Sequence, residues 1–248
     1  MTAVGAEPAL MSPPAYPRTP RVESALDLLF PPICVGCRRV GRWICRRCWS
    51  DVHWLIDEIC GVCGRPSALN PCPRCNSSPG PLDGVVAVAE FEGPAREAVH
   101  GLKYENRHAI SGLMGRLMAG ACRHVAPDAV VHVPLHASRR RERGYDQAGM
   151  LARHLATSLD ISCYSNALTR IRKTRQQVGL GPAERRNNVD GAFGARKRLD
   201  GAHLLLVDDV YTTGSTLRAA AGALREAGAE RITAAVFARA QAGRDGGR

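Results

Sequence analysis

Four Cys-x-x-Cys pairs near the N-terminus constrain the fold of this chain more than any other feature. They read CVGC, CRRC, CGVC and CPRC, and they hold eight of the ten cysteines, between Cys34 and Cys75. A two-residue gap lets both sulfurs of a pair face one ion, and two pairs complete a tetrahedral thiolate site. Eight thiolates therefore predict two structural Zn²⁺ ions in a small cysteine-rich zinc-ribbon domain, which we place at residues 24–80.

The spacing leaves the assignment of ligands open, because sequential and interleaved pairings both satisfy it. The simplest assignment is sequential, with Cys34, Cys37, Cys45 and Cys48 around one ion and Cys60, Cys63, Cys72 and Cys75 around the other. His53 is surplus to eight thiolates and is interpreted as an ordinary histidine. A disulfide framework or a redox-active dithiol is the alternative, but four successive pairs fit metal better.

The ends of the chain and its bulk composition indicate a cytoplasmic protein. No apolar run approaches the ~20 residues of a membrane span, and the N-terminus lacks the basic start and apolar core of a signal peptide. We expect a disordered leader over 1–23 and a disordered tail over 242–248. The net charge of +11 is compatible with an anionic partner and also with a solvated basic surface.

Residues 81–241 are predicted to form a second domain in which strands alternate with helices. The predicted strands are VVAVAEF from Val85, AVVHV from Ala129, HLLLV from His203 and RITAAVFAR from Arg231. Helical periodicity is present in GPAREAVHGLKY, SGLMGRLMAGAC, YDQAGMLARHLATSLD and STLRAAAGALREAG, although glycines weaken the second of these. This alternation predicts an α/β fold with a mostly parallel sheet, and ligands of such sheets bind beyond the carboxyl ends of the strands.

The segment LLLVDDVYTTGST, from Leu204 to Thr216, combines an apolar strand, two carboxylates and a loop of small hydroxylated residues. A helix that begins after such a loop presents free amides to a phosphate. Two adjacent carboxylates accept hydrogen bonds from two vicinal hydroxyls, so a sugar 5-phosphate satisfies both features. A plain capped turn would explain the Ser and Thr residues but not the acids. The chain has no G-x-x-x-x-G-K-[ST] motif, and GLGPAE lacks the third glycine of a dinucleotide fingerprint.

The same segment resembles the phosphoribosyl-pyrophosphate signature of type I phosphoribosyltransferases. From roughly Leu26 to the end, the chain resembles the ComF family, also called the GntX or competence family. The matching segments are LFPPICVGC, the Cys-x-x-Cys pairs, LKY, VPLHASRRRERGYDQA and RQQVGLGPAERRNNVDGAF. The resemblance implies a type I phosphoribosyltransferase fold behind a double zinc ribbon. It also implies a phosphoribosyl pyrophosphate or ribose 5-phosphate-like ligand, with Mg²⁺ on the pyrophosphate.

The resemblance assigns roles to individual residues. Asp208 and Asp209 would bind the ribose hydroxyls, and the loop would bind the 5-phosphate through Thr212, Thr213, Gly214, Ser215 and Thr216. The pyrophosphate would lie near Arg139, Arg141 and Arg143, with Lys103 either reaching it or lying on the surface. A long mobile loop that closes over substrate would draw its charge from Arg172, Lys173, Arg175, Arg185 and Arg186.

Two functions remain open from the sequence. The resemblance to ComF proteins implies a role in DNA uptake, with single-stranded DNA and competence-machinery proteins as partners. Between Ser138 and Arg198, fourteen Lys or Arg face five Asp or Glu, a stripe suited to phosphates. Trp43, Trp49 and Trp54 could stack on bases, although packing around zinc explains them better. The alternative is an active phosphoribosyltransferase of nucleotide or related metabolism, or a sensor of the sugar phosphate, and no segment specifies an acceptor.

Overall fold

The computed structural model describes residues 13–16, 31–55, 60–65, 67–77, 80–105, 107–172 and 191–240. Within them, a five-stranded parallel sheet has the strand order β1-β7-β6-β2-β3. Its strands are β1 (Gly84–Glu90), β2 (Ala129–His132), β3 (Ser162–Cys163), β6 (His203–Tyr211) and β7 (Arg231–Arg239). A separate antiparallel hairpin is made by β4 (Leu168–Arg170) and β5 (Phe193–Ala195). The predicted α/β class with a mostly parallel sheet is confirmed.

Helices cover both faces of this sheet. On one face lie α3 (Gly93–Tyr104), α4 (Ile110–Cys122) and α6 (Gln147–Leu159), and on the other lies α7 (Ser215–Glu226). Leu205 and Val207 of β6 enter the core on the α4–α6 side, whereas Leu204 and Leu206 enter the core on the α7 side. Because both faces are buried, the strand is apolar without alternation. No helix among the described residues is long and apolar enough to cross a bilayer.

The cysteine-rich segment shares its core with the larger domain. It contains the short helices α1 (Arg46–Ser50) and α2 (Pro73–Ser77). Trp49 is buried, and its ring lies 4.6 Å from that of Trp54, in the apolar cluster that also holds α3 and α4. Trp43 packs against the same cluster, so the structure favours packing over base stacking for these rings.

The edge of β1 is covered by the segment of the chain that follows the first four cysteines. Trp54 forms an antiparallel bridge with Ala89, and the Leu55 amide donates to the Val88 carbonyl at 3.0 Å. The Glu90 amide donates to the His53 carbonyl at 2.8 Å. An unpaired strand edge is a template for aggregation, so this segment protects β1, which is the outer strand of the sheet among the described residues.

Two strands differ in length from their predictions. The strand β2 ends at His132, one residue before the predicted Val133, while β6 continues beyond the predicted Val207 to Tyr211. The extension exists because β6 is hydrogen-bonded along β7 as far as the pair Tyr211 and Arg239. As a result, Asp208 and Asp209 lie inside a strand and not on the loop after it.

The glycines that weaken the helix signal in α4 have a packing reason at one position. A β-carbon on Gly115 would lie 3.2 Å from the Leu151 carbonyl oxygen and would press on His154 of α6, whereas Gly120 has nothing within 4 Å. We expect Gly115→Val to lower the free energy of unfolding by about 1–3 kcal/mol through overpacking. Gly120→Val, its control in the same helix, should change it by less than about 0.5 kcal/mol. Denaturant unfolding measures both, and equal effects would show that the α4–α6 contact is loose.

Candidate functional site

The loop between β6 and α7 is shaped by Gly214. Its φ of 73° lies in the left-handed region, and a β-carbon there would collide with the Tyr211 hydroxyl. Thr213 Oγ1 lies 2.8 Å from Ser215 Oγ and accepts from the Ser215 amide at 3.3 Å. The N-cap residue, Gly214, has no side chain to cap α7, so the amino-terminal end of this helix is suited to an anion even though the Ser215 amide already donates to Thr213.

An arginine of α7 also holds the loop in place through two hydrogen bonds. Arg218 donates through Nη2 to the Thr213 carbonyl at 2.5 Å and through Nη1 to the Tyr211 hydroxyl at 3.1 Å. Thr212 is exposed and Thr216 is half-buried, while Gly214 and Ser215 are buried. All five predicted loop residues therefore lie on one turn at the carboxyl edge of the sheet.

The two carboxylates differ in their environment. Asp209 is 3 % exposed, and its Oδ1 lies 2.8 Å from Nζ of Lys103, which extends from the last turn of α3. Asp208 is half-buried, and its Oδ1 accepts from the Asp209 amide at 2.8 Å. The second oxygen of Asp209 is buried and has no hydrogen-bond partner among the described residues. Asp209 is therefore closed off from solvent, because it lies within β6 and pairs with Lys103.

The charges of this cluster affect one another. Burial and the negative charge of Asp209 raise the pKa of Asp208 to about 7, although Lys103 opposes the shift. Burial lowers the pKa of Lys103, but the charge and hydrogen bond of Asp209 outweigh it and raise the pKa overall. Near neutral pH the site therefore contains a charged Lys103 and, at Asp208, a carboxyl group that is partly protonated.

A third acid, Asp146, lies beside the carboxyl end of β2. Its side chain caps α6 by accepting from the Gly149 amide at 3.0 Å, and it also accepts from the Leu135 amide at 3.1 Å. His132, at the end of β2, places Nε2 3.6 Å from Asp146 Oδ2. Burial raises the pKa of Asp146, but His132 and the two amides outweigh it and lower the pKa overall.

The predicted arginines of the HASRRRER segment diverge on helix α5 (Ala137–Arg143), which has no buried residue. Arg143 donates to Gln147 Oε1 at 2.8 Å and places Cζ 5.3 Å from the Tyr104 ring centroid. Arg141 is exposed. Arg139 instead lies near Arg170 of β4. Burial lowers the pKa of Arg170, the positive charge of Arg139 lowers it further, and the negative charge of Asp208 opposes both effects. Arg170 is thus within electrostatic range of both Arg139 and Asp208.

Of the residues assigned to a mobile loop, only Arg172 lies within the described part of the chain. Lys173, Arg175, Arg185 and Arg186 lie outside the described residues. This segment follows β4 in the chain and precedes β5, and these two strands are paired to each other. Arg170, His132, Asp146, Tyr211 and Arg218 join the site without having been predicted. Asp146 alone carried a sequence signal, as an N-cap before an amphipathic helix.

The cysteines form two clusters with sequential pairing. Cys34, Cys37, Cys45 and Cys48 make the first, and Cys60, Cys63, Cys72 and Cys75 make the second, with the sulfurs of each within 4.8 Å of one another. Sulfur–sulfur distances of 3.6 Å in the first and 3.8 Å in the second match the roughly 3.8 Å expected for tetrahedral Zn–S bonds of about 2.3 Å. The donor set and its spacing therefore fit zinc.

Backbone amides prepare one thiol in each cluster for metal binding. The Cys45 amide donates to Cys34 Sγ and the Cys72 amide to Cys60 Sγ, both at 3.3 Å. Burial raises the pKa of Cys34 and Cys60, but these and other amide hydrogen bonds outweigh it and lower each pKa to about 7. His53 lies outside both cysteine clusters, in a third group with Glu90 and Glu92 whose possible ligand atoms lie within 4.8 Å of one another, so its interpretation as an ordinary histidine stays a prediction.

Comparison with known proteins adds family matches to this geometry. A double zinc ribbon domain matches residues 25–78, and a phosphoribosyl transferase domain matches residues 143–246. DNA utilization protein YhgH of Escherichia coli (strain K12) is 34% identical over 210 residues, covering 77% of this chain and 92% of that protein. Competence protein F of Haemophilus influenzae is 30% identical over 223 residues, covering 84% and 96%. Competence protein ComFC of Bacillus subtilis is 26% identical over 198 residues, covering 75% and 79%.

The parallel sheet, the loop before α7 and the two four-cysteine clusters define a class: phosphoribosyltransferase-fold proteins that carry a double zinc ribbon. Within that class, the chain belongs to the ComF family. The resemblance drawn from its motifs is thereby confirmed.

The clusters predict that purified protein carries two zinc ions per chain. We expect Cys34→Ser or Cys60→Ser to remove one of them, because three thiolates no longer complete a structural site. Cys163→Ser, a change outside both clusters, should leave the zinc content at two. Elemental analysis measures the ratio, and oxidised cysteines without metal in protein purified under reducing conditions would contradict the prediction.

Proposed function

We propose that this ComF-family protein binds phosphoribosyl pyrophosphate at the carboxyl edge of β6. The buried, unpartnered oxygen of Asp209 carries the proposal, because an unsatisfied carboxylate oxygen is costly unless a ligand completes it. The 5-phosphate takes the amides of the Thr212–Thr216 loop. The ribose hydroxyls donate to Asp208 and Asp209, which lie directly before that loop in the chain.

The pyrophosphate group has its own support. The positive charge of Arg139 acts unfavourably on Arg170, and a polyanion near two such groups would relieve that repulsion. Mg²⁺ suits the same place, since carboxylate and phosphate oxygens are its usual ligands. The carboxylate oxygens of Asp208 and Asp209 would hold the ion together with the pyrophosphate, and the ion would neutralise charge on the leaving group. Lys103 holds one oxygen of Asp209 in an ion pair, and the other oxygen remains as an acceptor for the ligand.

The raised pKa of Asp208 makes ligand binding depend on pH. Hydroxyl donors favour the charged carboxylate, so binding should release a proton below about pH 7, and the affinity should fall as the pH is lowered from 7.5 to 6. The loss attributable to Asp208 should approach tenfold for about each pH unit. Titration calorimetry in buffers of different ionisation enthalpy measures both the affinity and the protons released.

Asp208→Asn is the control for this experiment, because it keeps the shape of the side chain and removes its titration. The ligand's own phosphates titrate equally with both proteins, so the difference in affinity between the two proteins isolates the titration of Asp208.

Asp208→Asn and Asp209→Asn should each weaken binding by roughly ten- to a hundredfold at pH 7.5, the cost of a charged hydrogen-bond acceptor. Unchanged affinity in the double variant would contradict the proposed site.

A role in DNA uptake, with single-stranded DNA as the ligand, rests on relatives named as DNA utilization and competence proteins. In this chain it is supported by α5, where four arginines lie on a helix with no buried residue beside the candidate site. Phosphate contacts of exposed arginines give affinity without sequence preference. Competence-machinery proteins would then be the expected partners in the cytoplasm.

An active phosphoribosyltransferase of nucleotide or related metabolism is the alternative, with an acceptor that nothing in the site specifies.

Two assays distinguish the functions: binding of single-stranded DNA and release of pyrophosphate. Arg140→Glu with Arg141→Glu should weaken single-stranded DNA binding and reduce its salt dependence, by about 0.7 log units per log unit of salt for each phosphate that the protein no longer neutralises. The control is Arg123→Glu with Arg231→Glu, two exposed arginines at the opposite edge of the sheet.

Fluorescence anisotropy at several salt concentrations measures this DNA binding. The control pair should retain most of the affinity, although it makes the same change in net charge. Absence of salt-dependent DNA binding in the unmodified protein would contradict the DNA-handling role. Pyrophosphate release with some amine or base acceptor would favour the transferase.

A further inference from the structure

A buried arginine connects the second cysteine cluster to the β6–α7 loop. Arg239, the last residue of β7, is 6 % exposed. Its Nη1 donates to the carbonyl oxygen of Cys63, one of the four thiols of the second cluster. Its Cζ lies 4.7 Å from the ring centroid of Tyr211, a distance at which the cation and the ring face attract each other.

Tyr211 in turn supports the loop. Gly214 lies so close to the Tyr211 hydroxyl that a β-carbon could not fit between them. The same hydroxyl accepts from Arg218, which also donates to the Thr213 carbonyl at 2.5 Å. The contacts therefore run without a gap from Cys63 through Arg239 and Tyr211 to the loop that we assign to the 5-phosphate.

The metal centre and Arg239 also interact through their opposite charges. Four thiolates around one Zn²⁺ leave a net negative charge, and the Arg239 guanidinium donates to the backbone of one of these ligands. A buried guanidinium is stabilised by such a neighbour, so loss of the metal centre would remove part of what holds Arg239 under Tyr211.

The second cluster is also fixed to the sheet. The Val85 amide of β1 donates to the Gly61 carbonyl at 2.9 Å, and Gly64 packs against Val85. The first cluster lies on the opposite face of the sheet, where Cys34 and Cys48 belong to the core with α3 and α4, whereas Tyr211 and α7 belong to the core of the other face. Because it packs on the face away from α7, the first cluster serves as an internal reference.

We propose that Arg239 is a positioning residue that couples the second zinc centre to the phosphate-binding loop. Occupation of the loop and retention of zinc by Cys60, Cys63, Cys72 and Cys75 then strengthen each other, because coupling between two sites is reciprocal. This inference rests on the proposed function for the identity of the ligand. It does not rest on it for the contacts between the metal centre and the loop.

The test uses the full chain loaded with ¹¹³Cd²⁺, which gives one resonance for each cluster, assigned through coupling to the cysteine β-protons. Phosphoribosyl pyrophosphate with Mg²⁺ should shift the resonance of the second cluster and leave that of the first in place. In the zinc form, the ligand should raise the zinc affinity of the second cluster, measured by equilibrium competition with a chelator, by about 5- to 150-fold, the usual range of coupling between sites.

Arg239→Gln should abolish the selective shift and reduce the gain in zinc affinity to less than about twofold. Arg239→Lys keeps the charge and should restore part of it, which a merely structural role would not predict. If Arg239→Gln fails to fold, Tyr211→Leu breaks the same connection from the loop side. A ligand-induced shift of equal size at both clusters, or the full gain in zinc affinity in Arg239→Gln, would overturn the proposal.

Gly214→Ala separates this inference from the proposed function, since it displaces Tyr211 without any ligand. Weaker zinc binding at the second cluster alone would support the coupling even if phosphoribosyl pyrophosphate does not bind the unmodified protein. Unchanged zinc affinity in Gly214→Ala would overturn the coupling, whatever the calorimetry shows.

Discussion

The Lys103–Asp209 ion pair is the interaction on which the candidate site depends. It allows two adjacent carboxylates to lie in a central strand whose preceding residues are wholly buried. A buried carboxylate without a partner is costly, and one lysine cannot satisfy two of them, so Asp208 has its pKa raised to about 7. In the free protein this carboxyl group stabilises the fold at acid pH, and that contribution is lost as the pH rises through about 7. A ligand with hydroxyl donors and a cation removes the conflict.

The position of Lys103 depends on contacts far from the acids. The Tyr145 hydroxyl, just before α6, donates to the Leu102 carbonyl at 2.5 Å and so ties the end of α3 to the rim of the sheet. Asp146, the next residue, caps α6 and pairs with His132. One short segment therefore fixes three groups of the site, the lysine, the third acid and the histidine. Substitutions in it should affect ligand binding without touching the ligand.

The zinc ribbons belong to the same structural unit as the sheet. They contribute Trp49 and Val52 to its core, and the segment His53–Leu55 covers its edge. A small cysteine-rich segment with few apolar residues gains much of its folding energy from metal, and here part of that energy also maintains the large domain. Arg239 extends this dependence to the loop before α7. The two parts of the chain are thus connected through the core, the sheet edge and the candidate site.

The sequence by itself determined four of the seven described strands and four of the longer helices. Four Cys-x-x-Cys pairs specify the ribbons, the apolar run at Leu204 specifies a buried strand, and the Asp208–Thr216 segment places two carboxylates before small hydroxylated residues. These signals are local, because each depends on residues a few positions apart. Only the tertiary structure decided which cysteines share an ion and that Lys103 pairs with Asp209. Only the structure brought Arg170 and Arg239 to the site. Residue pairs such as Lys103 and Asp209, or Cys63 and Arg239, are far apart in the chain, and their contacts follow from strand order and helix packing that no local pattern encodes.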